Sequence, residues 1–108
     1  MHKENRELIQ TLMECAQSCD HCAVACLDEQ DVKMMARCIK LDMDCAAICS
    51  EAARLLSRGA EIAGKYLQMC ADMCKMCGDE CEAHKHMEHC IECAESCRKC
   101  EKACRNYK

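Results

Sequence analysis

Four cysteines fall within the twelve residues 15-CAQSCDHCAVAC-26, and four more recur at the same spacing in 70-CADMCKMCGDEC-81. Steps of four, three and four follow the turn of an α-helix, so each set of thiols shares one face. The same period runs through 38-CIKLDMDCAAIC-49 and 87-MEHCIECAESCRKCEKAC-104. Thiolates are soft donors that favour Cu(I), Zn(II) and iron–sulfur clusters. The chemistry to expect is therefore metal binding by sulfur on helices.

Spacing and charge separate these metals. Structural zinc needs four sulfurs on one ion and draws them from CxxC knuckles on turns. Here the pairs climb straight helices, so one helix offers two sulfurs, which suits two-coordinate Cu(I). Each Cu(I) also cancels one thiolate, whereas Zn(II) among four thiolates leaves two negative charges to bury at large cost. Iron–sulfur ligands sit on loops that wrap the cluster, and the sequence has no such loops. Multiple Cu(I) ions are the expected cargo. A zinc or general heavy-metal buffer of metallothionein type is the alternative, and an iron–sulfur electron-transfer protein stands behind it. No Ser/His/Asp constellation, phosphate-binding glycine loop or isolated Cys–His pair points to an enzyme.

The inward faces follow from steps of three and four. The first is Leu8, Leu12, Cys15, Cys19, Cys22, Cys26; the second is Asp31, Met35, Cys38, Asp42, Cys45, Cys49, Ala52, Leu56. The third is Ala63, Leu67, Cys70, Cys74, Cys77, Cys81, His84; the fourth is His86, Cys90, Cys93, Cys97, Cys100, Cys104, Tyr107. All sixteen cysteines are used, and none is left over. The expected metal ligands are these sixteen, together with Met35, His86 and His89. His84 is a weaker candidate because of its position in a turn. His21 lies off the face and His2 at the terminus. Met69, Met73 and Met76 each precede a cysteine by one residue and read as packing residues. Met13, Met43 and Met87 read the same way. Asp42 places a carboxylate on an inward face, with its role as ligand, acceptor or outward residue open.

The elements that must position these residues form a tandem repeat. Adding 55 to Cys15, Cys19, Cys22, Cys26, Cys38, Cys45 and Cys49 lands on a cysteine every time. Residues 1–53 and 56–108 are two copies of one unit within a single domain of 108 residues. Cys90 and Cys97 map back to Met35 and Asp42. Breaks fall at 28-DEQD-31, with Asp28 as a candidate helix cap, at 57-SRG-59, where Gly59 can end a helix, and at 83-AHKH-86. Helices are expected at 4–27, 30–57, 60–83 and 86–106. Short connections make neighbours antiparallel, so the fold class is an all-α, up-down-up-down four-helix bundle with a cysteine-lined core. Asp31, Met35, His84 and His86 then gather at one end, a mouth. Leu8, Leu12, Ala52, Leu56, Ala63, Leu67 and Tyr107 gather at the other, a plug.

Composition agrees. The chain has no proline, phenylalanine or tryptophan and only three glycines, leaving little to build strands or bulges. The net charge of −4 gives no basic patch for nucleic acid or an anionic membrane. No apolar run approaches the ~20 residues of a membrane span. The start MHKENRELIQ lacks the apolar centre of a secretory signal, so a cytoplasmic location with reduced thiols is expected. Protonated cysteines pack as small hydrophobes, so the bundle is expected to fold without metal.

With these segments in view, the chain resembles the cysteine-rich four-helix-bundle copper storage proteins, in particular their cytosolic bacterial members. The resemblance spans essentially the whole chain. It rests on the paired CxxxCxxCxxxC segments at 15–26 and 70–81 and on the segments at 38–49 and 87–104. It implies many Cu(I) ions along the interior, with CxxxC pairs as shared ligands. It also implies uptake from an end carrying His and Met, and a homotetramer of bundles. Which chaperone or exporter delivers or removes the metal is left open.

Overall fold

The computed structural model describes residues 3–108; His2 lies outside them. Four helices follow one another: α1 Lys3–Leu27, α2 Ala36–Ser57, α3 Ala63–Glu82 and α4 Glu88–Arg105. Each packs antiparallel on two neighbours in the cyclic order α1, α2, α3, α4, and diagonal helices meet only through side chains. The result is a rod of 45 × 17 × 17 Å. No strand occurs among the described residues.

Three boundaries differ from expectation, each for a local reason. The second helix was expected from residue 30, but Val32–Met35 is a single 3-10 turn that leads into α2. Asp31 rather than Asp28 caps it, accepting from the Met34 amide at 3.3 Å. That capping role holds the Asp31 carboxylate outside, so Asp31 is exposed and not on the inward face. Gly59 adopts φ +65°, the left-handed region that favours glycine, and closes α2 as expected. The turn then runs on through Ile62, so α3 starts three residues later than the expected 60. Residues 83–86 form a turn, and α4 begins at Glu88, after Met87 in extended geometry.

The core lies where the periodicity placed it. Leu8, Leu12, Ala52, Leu56, Ala63 and Leu67 are buried at the plug end, with Tyr107 packed against them. All sixteen cysteines are buried and all are free. Met35 is fully buried, while Met34 is exposed. Met69 and Met76 are exposed and Met73 is buried. On the outside, Arg98 of α4 reaches Asp79 and Glu82 of α3 at 2.6 and 2.9 Å. Exposed pairs of this kind contribute little each.

Candidate metal centre

Every thiol sits on a helix, and the four inward faces bring the sulfurs into one column along the bundle axis. Towards the plug, Cys49 Sγ lies 3.6 Å from Cys70, 3.7 Å from Cys74 and 4.0 Å from Cys100. In the middle, Cys19 lies 3.8 Å from both Cys93 and Cys97 and 4.0 Å from Cys77. Cys15 meets Cys97 at 4.0 Å. Towards the mouth, Cys38 lies 3.8 Å from Cys81, and Cys22 lies 3.9 Å from Cys26 and Cys90. A disulfide bond is about 2.05 Å long, so these are packed thiols.

The column corrects one expectation. Spacing along a single helix offers one ion only two sulfurs, yet thiols from different helices converge in fours. Cys15, Cys49, Cys74 and Cys100 have their ligand atoms within 4.8 Å of one another, as do Cys15, Cys19, Cys45 and Cys97. A third set is Cys19, Cys77, Cys93 and Cys97. Convergence therefore does not argue against zinc. Sharing argues against separate structural zinc sites, because Cys15, Cys19 and Cys97 each belong to two sets. A separate Cys₄ zinc site holds four sulfurs of its own. Overlapping sets suit bridging thiolates between neighbouring monovalent ions, and the charge argument stands with them.

Two non-sulfur donors enter the column. His89, at the start of α4, directs Nδ1 at Cys22 (3.5 Å), Cys90 (3.6 Å) and Cys26 (3.9 Å). Its Nε2 lies 3.0 Å from a Glu29 carboxylate oxygen. A carboxylate only accepts, so Nε2–H donates, and in the neutral ring the Nδ1 lone pair faces the thiols. A carboxylate behind an imidazole is the usual arrangement that orients a metal-binding histidine. Glu29 was missed in the sequence. It lies in the loop after α1, where no periodicity marks it.

Asp42, in α2, is fully buried. Its Oδ1 accepts from Cys77 at 3.1 Å, Cys93 at 3.4 Å and Cys81 at 3.6 Å, and its Oδ2 accepts from Cys38 at 3.8 Å. Burial pushes its carboxyl up to about 8, and the neighbouring Cys93 adds to the rise. Of the roles left open in the sequence, an outward one is excluded. Burial likewise raises the Cys26 thiol, and it raises that of Cys90 to about 11. Losing a proton there is costly without a cation to take its place.

The other candidates lie elsewhere. His86 is exposed on the turn, its ring 6.3 Å from that of His84. His84 is buried, with its Nε2 3.0 Å from Glu80. His21 is exposed. Met35 is buried in the core at the mouth end.

A four-helix bundle whose interior is a continuous thiol column, with a histidine aimed into one end, is a thiolate metal-binding bundle. The description "Copper storage protein" (Csp) matches residues 1–108, and the chain belongs to that family. A cytosolic copper storage protein of Streptomyces lividans, in a form holding five coppers, is 44% identical. The alignment covers 95% of this chain and 90% of that one, with a TM-score of 0.91. The same Streptomyces protein loaded with 10 copper equivalents gives 44% identity over 95% of this chain and 82% of that one, with a TM-score of 0.91. Apo copper storage protein 3 of Bacillus subtilis is 35% identical over 93% of this chain and 94% of that one, with a TM-score of 0.87. Among curated protein sequences the chain has no match.

Proposed function

We propose that this chain stores copper in the cytosol as Cu(I), holding many ions along the bundle axis, and that it is a binding protein rather than an enzyme. The observation that carries the proposal is the set of overlapping four-thiol groups in a buried column of sixteen cysteines. The Streptomyces relative, described as loaded with 10 copper equivalents, supports it.

All sixteen cysteines serve as ligands in this reading, with His89 joining Cys22, Cys26 and Cys90 at the mouth. These four offer ligand atoms within 4.8 Å of one another, so the first ions bind there. Met35, buried at the same end, adds a thioether donor, and the exposed His86 takes up ions at the surface there. Thiols lose protons as copper binds, so loading releases protons and weakens in acid. A neutral core results when about one Cu(I) replaces each thiol proton. The two-copy reading of 1–53 and 56–108 as one domain belongs to the same proposal, and so does a homotetramer.

Anaerobic titration of reduced protein with Cu(I), with metal counted per chain, is the test. Binding is expected to continue well past about ten equivalents, with absorption confined to the ultraviolet. Saturation near four equivalents of zinc, with no stronger copper uptake, would support the heavy-metal buffer instead. Brown protein with visible absorption would indicate iron–sulfur clusters.

A further inference from the structure

Fourteen of the sixteen cysteines have no exposed surface, and the two that keep about 1% are Cys15 and Cys93. Both border the same feature, a groove of about 680 Å³ along the seam between α1 and α4. These are the first and last helices, so no loop joins them. The groove has no aliphatic side chain in its lining. Two polar links cross the seam beside it. Ser18 and Ser96 share a hydrogen bond at 2.8 Å, and Lys99 lies 3.9 Å from Glu14. Directly beneath sit Cys19 and Cys97, which contact Cys93 and Cys15 respectively. Exposed or half-exposed links of this kind are weak, so the seam can part without disturbing the leucine-packed plug.

We infer that the α1/α4 seam is a second, lateral port to the thiol column, through which a small neutral Cu(I) ligand withdraws copper from the middle of the bundle. The inference rests on the storage reading above. The groove has the volume of a small-molecule site. Glu14, Glu92 and Glu95 outnumber Lys99 in its lining, so the field favours a neutral ligand that leaves as a cationic copper complex and disfavours an anionic one. The transfer is a ligand exchange without redox change. The Cu–S bonds to Cys15 and Cys93 break as bonds to the incoming ligand form, and each freed thiolate takes a proton from water. The groove reaches His89 at its mouth end, but it meets the column at Cys15 and Cys93, part-way along the bundle. Ions held there can then leave without passing those nearer the mouth.

Two measurements test the port. Reduced apo protein is treated with limiting iodoacetamide to about one adduct per chain and mapped by peptide. Cys15 and Cys93 are expected to react first; Cys22, Cys26 and Cys90 reacting as fast or faster would overturn the port. Loaded protein is then stripped with the neutral chelator 2,9-dimethyl-1,10-phenanthroline. Ser18→Ala/Ser96→Ala, which removes the cross-seam hydrogen bond, is expected to speed release roughly fivefold. Ser18→Leu/Ser96→Leu, which fills the groove, is expected to slow it severalfold with copper capacity unchanged. Release at the wild-type rate in the alanine pair, or in a folded leucine pair, would overturn the port. If the leucine pair does not fold, the alanine pair and the alkylation map decide. The alkylation map needs no metal, so failure of the storage reading, which appears as low copper capacity, is told apart from failure of the port.

Discussion

Glu29 and His89 are joined across 60 residues of sequence by a 3.0 Å contact from the carboxylate to Nε2. That contact turns Nδ1 onto Cys22, 3.5 Å away. A ring held in this way presents its lone pair to an arriving ion without a search over tautomers or rotamers. Removing the carboxylate by Glu29→Ala is expected to slow uptake of the first Cu(I) equivalents about tenfold, read by stopped-flow ultraviolet absorption. Glu29→Gln, which keeps an acceptor, is expected to restore most of the rate, and final capacity stays the same in both. Wild-type uptake by the alanine variant would remove Glu29 from the loading step.

Asp42 is the one carboxylate among the buried side chains of the described residues. Its folded value of about 8 stands above the usual 3.8. Between those two values the unfolded chain has lost the proton and the folded chain keeps it. The unfolded state then binds fewer protons, so stability falls as pH rises. Reduced apo protein is therefore expected to lose stability from about pH 4 to about pH 8, by up to about 6 kcal/mol from this residue. Asp42→Asn is expected to flatten that slope. Urea melts of both proteins at pH 5 and pH 8 measure it, and parallel slopes would contradict the assignment.

The plug end is expected to govern apo stability. Leu67 is fully buried there, so Leu67→Ala leaves a cavity and is expected to cost about 3 kcal/mol. The thiol column begins one turn further on, at Cys70, and Leu67 supplies no donor atom, so copper capacity is expected to survive. Chemical denaturation and a Cu(I) titration of the same variant check both halves of the statement.

Gly59 is a test of backbone conformation alone. Its φ is +65°, and an added Cβ would meet nothing within 4 Å. Gly59→Ala is therefore expected to cost about 1–2 kcal/mol through strain in the left-handed region, with no loss from packing. A thermal melt of reduced apo protein reads it.

Much of this architecture is local chemistry and so lies open in the amino-acid order. A period of 3.6 residues is a property of each helix, which is why the inward faces from Leu8 to Cys26 and from Ala63 to Cys81 could be written down before any contact was known. Gly59 marked its own turn, since few other residues accept a positive φ. The leucines at one end and the sulfurs in the middle follow from antiparallel order along the chain.

What depends on the rotation and axial register of one helix against another was settled only by the tertiary structure. It alone brings Cys15 of α1 together with Cys49, Cys74 and Cys100 from the other three helices, although no helix by itself can bring four sulfurs to one ion. It alone buries Asp42 among thiols of α2, α3 and α4, and it turns Asp31 outward to cap a 3-10 turn. It also sets Glu29, in a loop without any period, behind His89. Spacing along a chain determines which way a side chain faces, but only packing between elements determines what it meets.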